Sequence, residues 1–170
     1  MSFSGNFDYL SEGVILFKKF LTEESCSDIM SELVLLEHNK NEDGINVIAH
    51  SEVSINNSDY IESLISKVVP INFNVMHGGF QFMSQGDSMA KHHDLYHFNF
   101  KEANKEYSIV LYLNNFEGGE INYPDINIVH SPKIGDLILH KPSIRHEVLK
   151  LKSENRYTYT SFLWSQRNVI

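Results

Sequence analysis

The sequence predicts an α+β fold, mainly β: an antiparallel sandwich or barrel with N-terminal helices packed outside it. Three observations predict it. Two capped, helix-like stretches fall before residue 71. Beyond that point short β-like runs follow one another, and paired turn residues separate them.

The elements follow in order. Residues 14–21 (Val-Ile-Leu-Phe-Lys-Lys-Phe-Leu) read as a short strand entering a turn. Thr22 is a good N-cap, with Glu23 and Glu24 where the helix dipole favours acids. That helix is expected to reach Glu37, with Ile29, Leu33 and Leu36 on one face. Residues 38–57, rich in Asn, Asp, Glu, Ser and Gly, suggest a long loop or an irregular hairpin. Ser58 is expected to cap a second helix over residues 59–68, which Pro70 stops. Strands are then expected at 71–76, 79–84, 95–100, 107–113, 120–123, 126–130, 134–140, 146–151 and 156–164. Gly118-Gly119, Pro124-Asp125, Pro132-Lys133 and Lys141-Pro142-Ser143 punctuate them.

At 170 residues the chain fits a single domain, 1–170, with a helical support region (1–70) and a β core (71–170). Hydrophobic residues make up 42% of it, which places it with globular chains rather than disordered ones. The formal charge of −8 disfavours a sequence-independent grip on nucleic acid, which needs clustered Lys and Arg. No apolar run is long enough for a membrane span, and the N-terminal residues lack the basic and apolar regions of a signal peptide. Cys26, the one cysteine, has no partner for a disulfide, so a cytoplasmic protein is expected. Oligomeric state is not readable from the sequence.

Nine histidines are many for such a domain. Lys91-His92-His93-Asp94 and the later Arg145-His146-Glu147-Val148 contain the set that matters. Two imidazoles and a carboxylate form a facial triad that holds non-haem Fe(II) and leaves positions open. In an extended segment residues two apart share a side, so His92 and Asp94 can reach one metal while His93 points away. The third ligand must come from another strand, and on spacing alone His140 competes with His146 for it.

Further signals surround these residues. They are Gly86, Leu111-Tyr112-Leu113-Asn114, Gly118-Gly119-Glu120, Pro132-Lys133-Ile134-Gly135, Asp136-Leu137-Ile138-Leu139 and Arg156. Taken in order with the histidine motifs, from about Phe80 to Trp164, they resemble the prolyl 4-hydroxylase-like branch of the 2-oxoglutarate/Fe(II)-dependent oxygenase superfamily. The resemblance implies a double-stranded β-helix, a jelly-roll or cupin-like barrel. It selects His146 over His140, because the family's basic residue follows the distal histidine by about ten positions, as Arg156 follows His146. It implies metal ligands His92, Asp94 and His146, with Fe(II), 2-oxoglutarate and O2 as cofactor and cosubstrates, and ascorbate as an accessory reductant.

Arg156 suits the far carboxylate of 2-oxoglutarate, since a guanidinium binds a carboxylate through two parallel hydrogen bonds. Alternation places Thr158 and Thr160 on its face, and Ser108 shares a face with Tyr112 on the strand at 107–114. The family suggests that Tyr112 donates to the same carboxylate. Met83 stands where relatives often carry a tyrosine. The implied reaction hydroxylates an unactivated C–H bond, with release of succinate and CO2, and Asp94 favours hydroxylation over halogenation. The expected substrate is a prolyl residue of a peptide or protein. A free amino acid or other small metabolite is the alternative, and a cupin-like metal enzyme without 2-oxoglutarate is another. Related nucleic-acid demethylases carry a second arginine where this chain has Phe162. The 38–57, 85–91 and 95–106 segments are expected to flank the substrate channel.

Overall fold

A computed structural model describes residues 3–40, 46–49, 51–96 and 103–166. Before residue 71 lie β1 (Asp8–Ser11), β2 (Val14–Phe17), α1 (Glu23–Leu33), β3 (His38–Lys40), β4 (Asn46–Ile48) and α2 (Glu52–Val68). Then come β5 (Asn74–Val75), β6 (Gly79–Ser84), β7 (Met89–His92), a 3-10 turn (Asp94–Tyr96) and β8 (Ala103–Tyr112). β9 (Ile121–Tyr123), β10 (Ile128–His130), β11 (Leu137–His140), β12 (His146–Val148) and β13 (Asn155–Gln166) complete the chain.

The strands form two sheets. The larger runs β1-β2-β11-β8-β13-β6-β4-β3, with β5 paired to β13, and the smaller runs β10-β9-β12-β7. The α+β class therefore holds, but the closed double-stranded β-helix (jelly-roll barrel) does not. Both sheets are open: among the described residues β1 does not pair with β3, and no ladder joins the two sheets. The spacing of strands in a sequence is common to open and closed arrangements. Closure needs a consistent tilt and stagger around the whole ring, and the edge strands here are only three or four residues long.

The core divides according to strand alternation. Ile15 and Phe17 of β2, Ile109 and Leu111 of β8 and Leu137 and Leu139 of β11 pack with Ile29 and Leu33 of α1 and Ile61 and Ile65 of α2. Val14, Leu16, Tyr112 and Ile138 turn the other way, against Ile121 and Tyr123 of the small sheet. Covered on both faces, β2 reads as an unbroken apolar run, and β11 as one up to its last residue, His140, rather than as alternating ones. The Pro-x-x-Gly turn aligns β11 with β8: Gly135, at φ +80°, donates to Tyr112 O at 2.8 Å. A Cβ on Gly135 would collide with the carbonyl oxygen of Leu21.

Several boundaries differ from expectation. Thr22 does cap α1, accepting from Ser25 N, but the helix stops at Leu33. α2 begins at Glu52 under Ser51, whose side chain forms a reciprocal capping box with Ser54. Ser58 is instead a buried residue inside α2 whose hydroxyl donates to Ser54 O. The 38–57 stretch holds a hairpin, β3 against β4, and the start of α2. Of the strand expected at 95–100, Leu95 and Tyr96 lie in the 3-10 turn and the rest is outside the described residues.

Candidate active site

Between the sheets lies a cavity of about 910 Å³. Its walls include His92, Asp94, His146, Ser108, Arg156, Thr158 and Thr160. The small sheet supplies both imidazoles. His92 ends β7 and is the register partner of His146, which opens β12. Their ring centroids are 4.3 Å apart. Asp94 does not continue the strand. It opens the 3-10 turn, where its N–H donates to Pro142 O at 2.9 Å and its carbonyl accepts from Lys105 Nζ at 2.9 Å. The turn, rather than strand alternation, brings its carboxylate round to the histidines.

One ligand atom from each of His92, Asp94 and His146 falls within 4.8 Å of the others. The proton arrangement suits a cation. His92 Nδ1 is 2.8 Å from Ala90 O, and His146 Nδ1 is 3.2 Å from Ile144 O. A carbonyl can only accept, so Nδ1 carries the hydrogen in each ring and Nε2 keeps its lone pair for a metal. Burial pushes His146 down to about 3, and the neighbouring His140 ring adds to it, so the ring stays neutral in the absence of a metal. Burial would raise Asp94, but the hydrogen bond from His140 and the electrostatic influence of the His140 and His146 rings outweigh it. They hold the carboxyl well below its usual range.

Deeper in, Arg156 is 4% exposed and Tyr112 fully buried. The guanidinium carbon stands 5.1 Å from the centre of the Tyr112 ring and 5.5 Å from that of Phe116. Arg156 Nη1 donates to Met83 Sδ at 3.4 Å, a soft acceptor, while Nε and the Tyr112 hydroxyl find no partner among the described residues. No carboxylate among the described residues pairs with this arginine. A buried cation without a counter-ion is costly, and an anion bound at this end of the cavity would offset that cost. Thr158, paired with Tyr112 across β8 and β13, is buried beside it. Ser108 lies towards Asp94, on the cavity wall. Thr160 is further along β13, its hydroxyl donated to Gly79 O at 3.4 Å.

A family model described as the 2OG-Fe(II) oxygenase superfamily matches residues 78–164, just over half of the chain. The chain belongs to this superfamily. A search of curated proteins gave no significant match. Among solved structures the oxygenase chain is similar to a prolyl-4-hydroxylase from Pseudomonas putida. The TM-score is 0.67 at 19% identity, over 92% of this chain and 94% of that one. It is also similar to the viral collagen prolyl hydroxylase of Paramecium Bursaria Chlorella virus-1 (TM-score 0.64, 15% identity, 98% and 100% covered). A third likeness is to HygX from Streptomyces hygroscopicus, solved with nickel, 2-oxoglutarate and hygromycin B bound (TM-score 0.61, 15% identity, 90% and 82% covered). At these identities the likeness establishes the fold. An Fe(II)- and 2-oxoglutarate-dependent oxygenase fits both halves of the cavity, a two-histidine, one-carboxylate triad and an anion pocket.

The structure also shows two residues at the triad that the sequence reading did not assign to the site. His140 ends β11 with its Nε2 3.2 Å from Asp94 Oδ2, and Tyr123 of β9 reaches His140 Nδ1 at 3.2 Å. The signal was available, since alternation from Ile138 puts His140 on the cavity face. Among the described residues no helix is long and apolar enough to cross a membrane.

Proposed function

We propose that this oxygenase, one domain over 1–170, hydroxylates an unactivated C–H bond of a prolyl residue in a peptide or protein. His92, Asp94 and His146 would hold iron(II). Arg156 and Tyr112, with Ser108, Thr158 and Thr160 along the walls, would hold 2-oxoglutarate. Bound there, iron and 2-oxoglutarate supply oxygen activation, with release of succinate and CO2. The chain's own residues would orient the cosubstrate, keep the buried His146 ring neutral and close the anion pocket to water.

The buried Arg156 beside Tyr112, with no carboxylate partner among the described residues, carries the reading, because a cupin-like metal enzyme without 2-oxoglutarate has no need of such a cation. The prolyl substrate draws support from the names of the two prolyl hydroxylases of similar fold. HygX, whose structure holds hygromycin B, keeps a small-molecule substrate as the second reading.

The test is succinate release with Fe(II) and 2-oxoglutarate, followed by mass spectrometry of proline-containing peptides for the gain of one oxygen. Succinate formation that His92→Ala abolishes, with an oxygen gained at proline, is the expected result. Hydroxylation of a metabolite and of no peptide would replace the prolyl substrate. Absence of succinate under every substrate would remove the 2-oxoglutarate reading.

A further inference from the structure

The hydrogen bonds around Asp94 give its two oxygens different work. Oδ2 lies 3.2 Å from His140 Nε2, nearer than its 3.9 Å to His146 Nε2, whereas Oδ1 faces His92 Nε2 at 3.6 Å. His140 is wholly enclosed, with Tyr123, also at 0% exposure, on its other nitrogen. One proton arrangement satisfies the chain of groups. An ionised Asp94 can only accept, so His140 Nε2 donates to it. With Nε2 as the donor, Nδ1 is left to accept, and the Tyr123 hydroxyl donates there. Both nitrogens of His140 are thereby used. His140, whose ring centroid is only 4.3 Å from that of His146, is thus left with no nitrogen to offer a metal.

We propose that His140 is a positioning residue: held by Tyr123, it ties down one oxygen of Asp94 so that the carboxylate presents the other to the metal. The inference rests on the metal reading of His92, Asp94 and His146. Partners of this kind, behind a ligand, fix its orientation and strengthen metal binding. Here the device spans both sheets, since β9 and β11 hold the relay while the 3-10 turn holds the ligand.

The experiment measures Mn(II) affinity, from the electron paramagnetic resonance signal of the free ion, for the parent protein, His140→Leu, His140→Gln, Tyr123→Phe and His92→Ala. Circular dichroism checks that each is folded. Loss of the donor in His140→Leu is expected to weaken Mn(II) binding roughly 10- to 100-fold. His140→Gln keeps an N–H at similar reach and is expected to stay within about threefold of the parent, with Tyr123→Phe between the two. Unchanged affinity in His140→Leu, with His92→Ala deficient, overturns the proposal and leaves the triad standing. Equal loss in His140→Gln and His140→Leu overturns it too, by making the imidazole itself the requirement, as for a direct ligand. If His140→Leu does not fold, retention in His140→Gln with loss in Tyr123→Phe supports the relay, and any other pattern refutes it. No Mn(II) binding by the parent removes the triad and this inference together.

Discussion

The guanidinium of Arg156 stands 5.1 Å from the centre of the Tyr112 ring, and neither the arginine Nε nor the tyrosine hydroxyl has a hydrogen-bond partner among the described residues. Arg156 lines the cavity and Tyr112 packs against it, two buried donors for which the described residues provide no acceptor. Tyr112→Phe removes one donor and little volume. A hydrogen bond to a charged acceptor contributes about 1.5 to 3 kcal/mol, which corresponds to a rise in KM for 2-oxoglutarate of roughly 10- to 100-fold. Steady-state succinate release measures it, with kcat close to that of the parent. An unchanged KM would detach Tyr112 from the cosubstrate.

Cys26 offers a test of the core rather than of the site. It is wholly enclosed between α1 and the large sheet. Burial pushes its thiol up to about 11, although the Gly135 backbone pulls the other way. The thiolate is the reactive form, so the native protein at pH 8 should leave an aromatic disulfide reagent unreduced. One thiol should titrate once guanidinium unfolds the chain. Prompt reaction of the native protein would place Cys26 outside the core.

The start of α2 can be tested by two serines seven positions apart. Ser51→Ala removes an N-cap and half of a capping box, and is expected to lower stability by about 1 kcal/mol. Ser58→Ala deletes a hydroxyl bonded back to Ser54 O inside the helix, and is expected to change stability by less than about 0.5 kcal/mol. Urea unfolding midpoints at constant slope compare them. The reverse order would restore the later helix start.

How much could be read in advance depended on the range of the forces involved. Thr22 announced α1 because capping is local, whereas 51–58 (Ser-Glu-Val-Ser-Ile-Asn-Asn-Ser) concealed the first turns of α2. Its serines and asparagines are poor helix formers. The period-two pattern of β13 put Arg156 and Thr158 on one face, and both line the cavity, as does Ser161 of the other face. The same pattern gave the wrong cause for Asp94, which the 3-10 turn and not a strand delivers. Open sheets instead of a barrel lay beyond any local pattern, as did the relay from Tyr123 through His140. Closure and a contact between β9, β11 and a distant turn are properties of the assembled fold.

The measurement that bears most directly on the account is a calorimetric titration of 2-oxoglutarate into Mn(II)-loaded protein, for the parent and for Arg156→Gln. The glutamine keeps a polar side chain but removes the buried charge and its paired hydrogen bonds. The account predicts one site in the parent and at least roughly 100-fold weaker binding in Arg156→Gln. Mn(II) affinity should be the same in both, because Arg156 is not among the metal ligands. Equal 2-oxoglutarate affinity in the two proteins, or no binding by the parent, would contradict it.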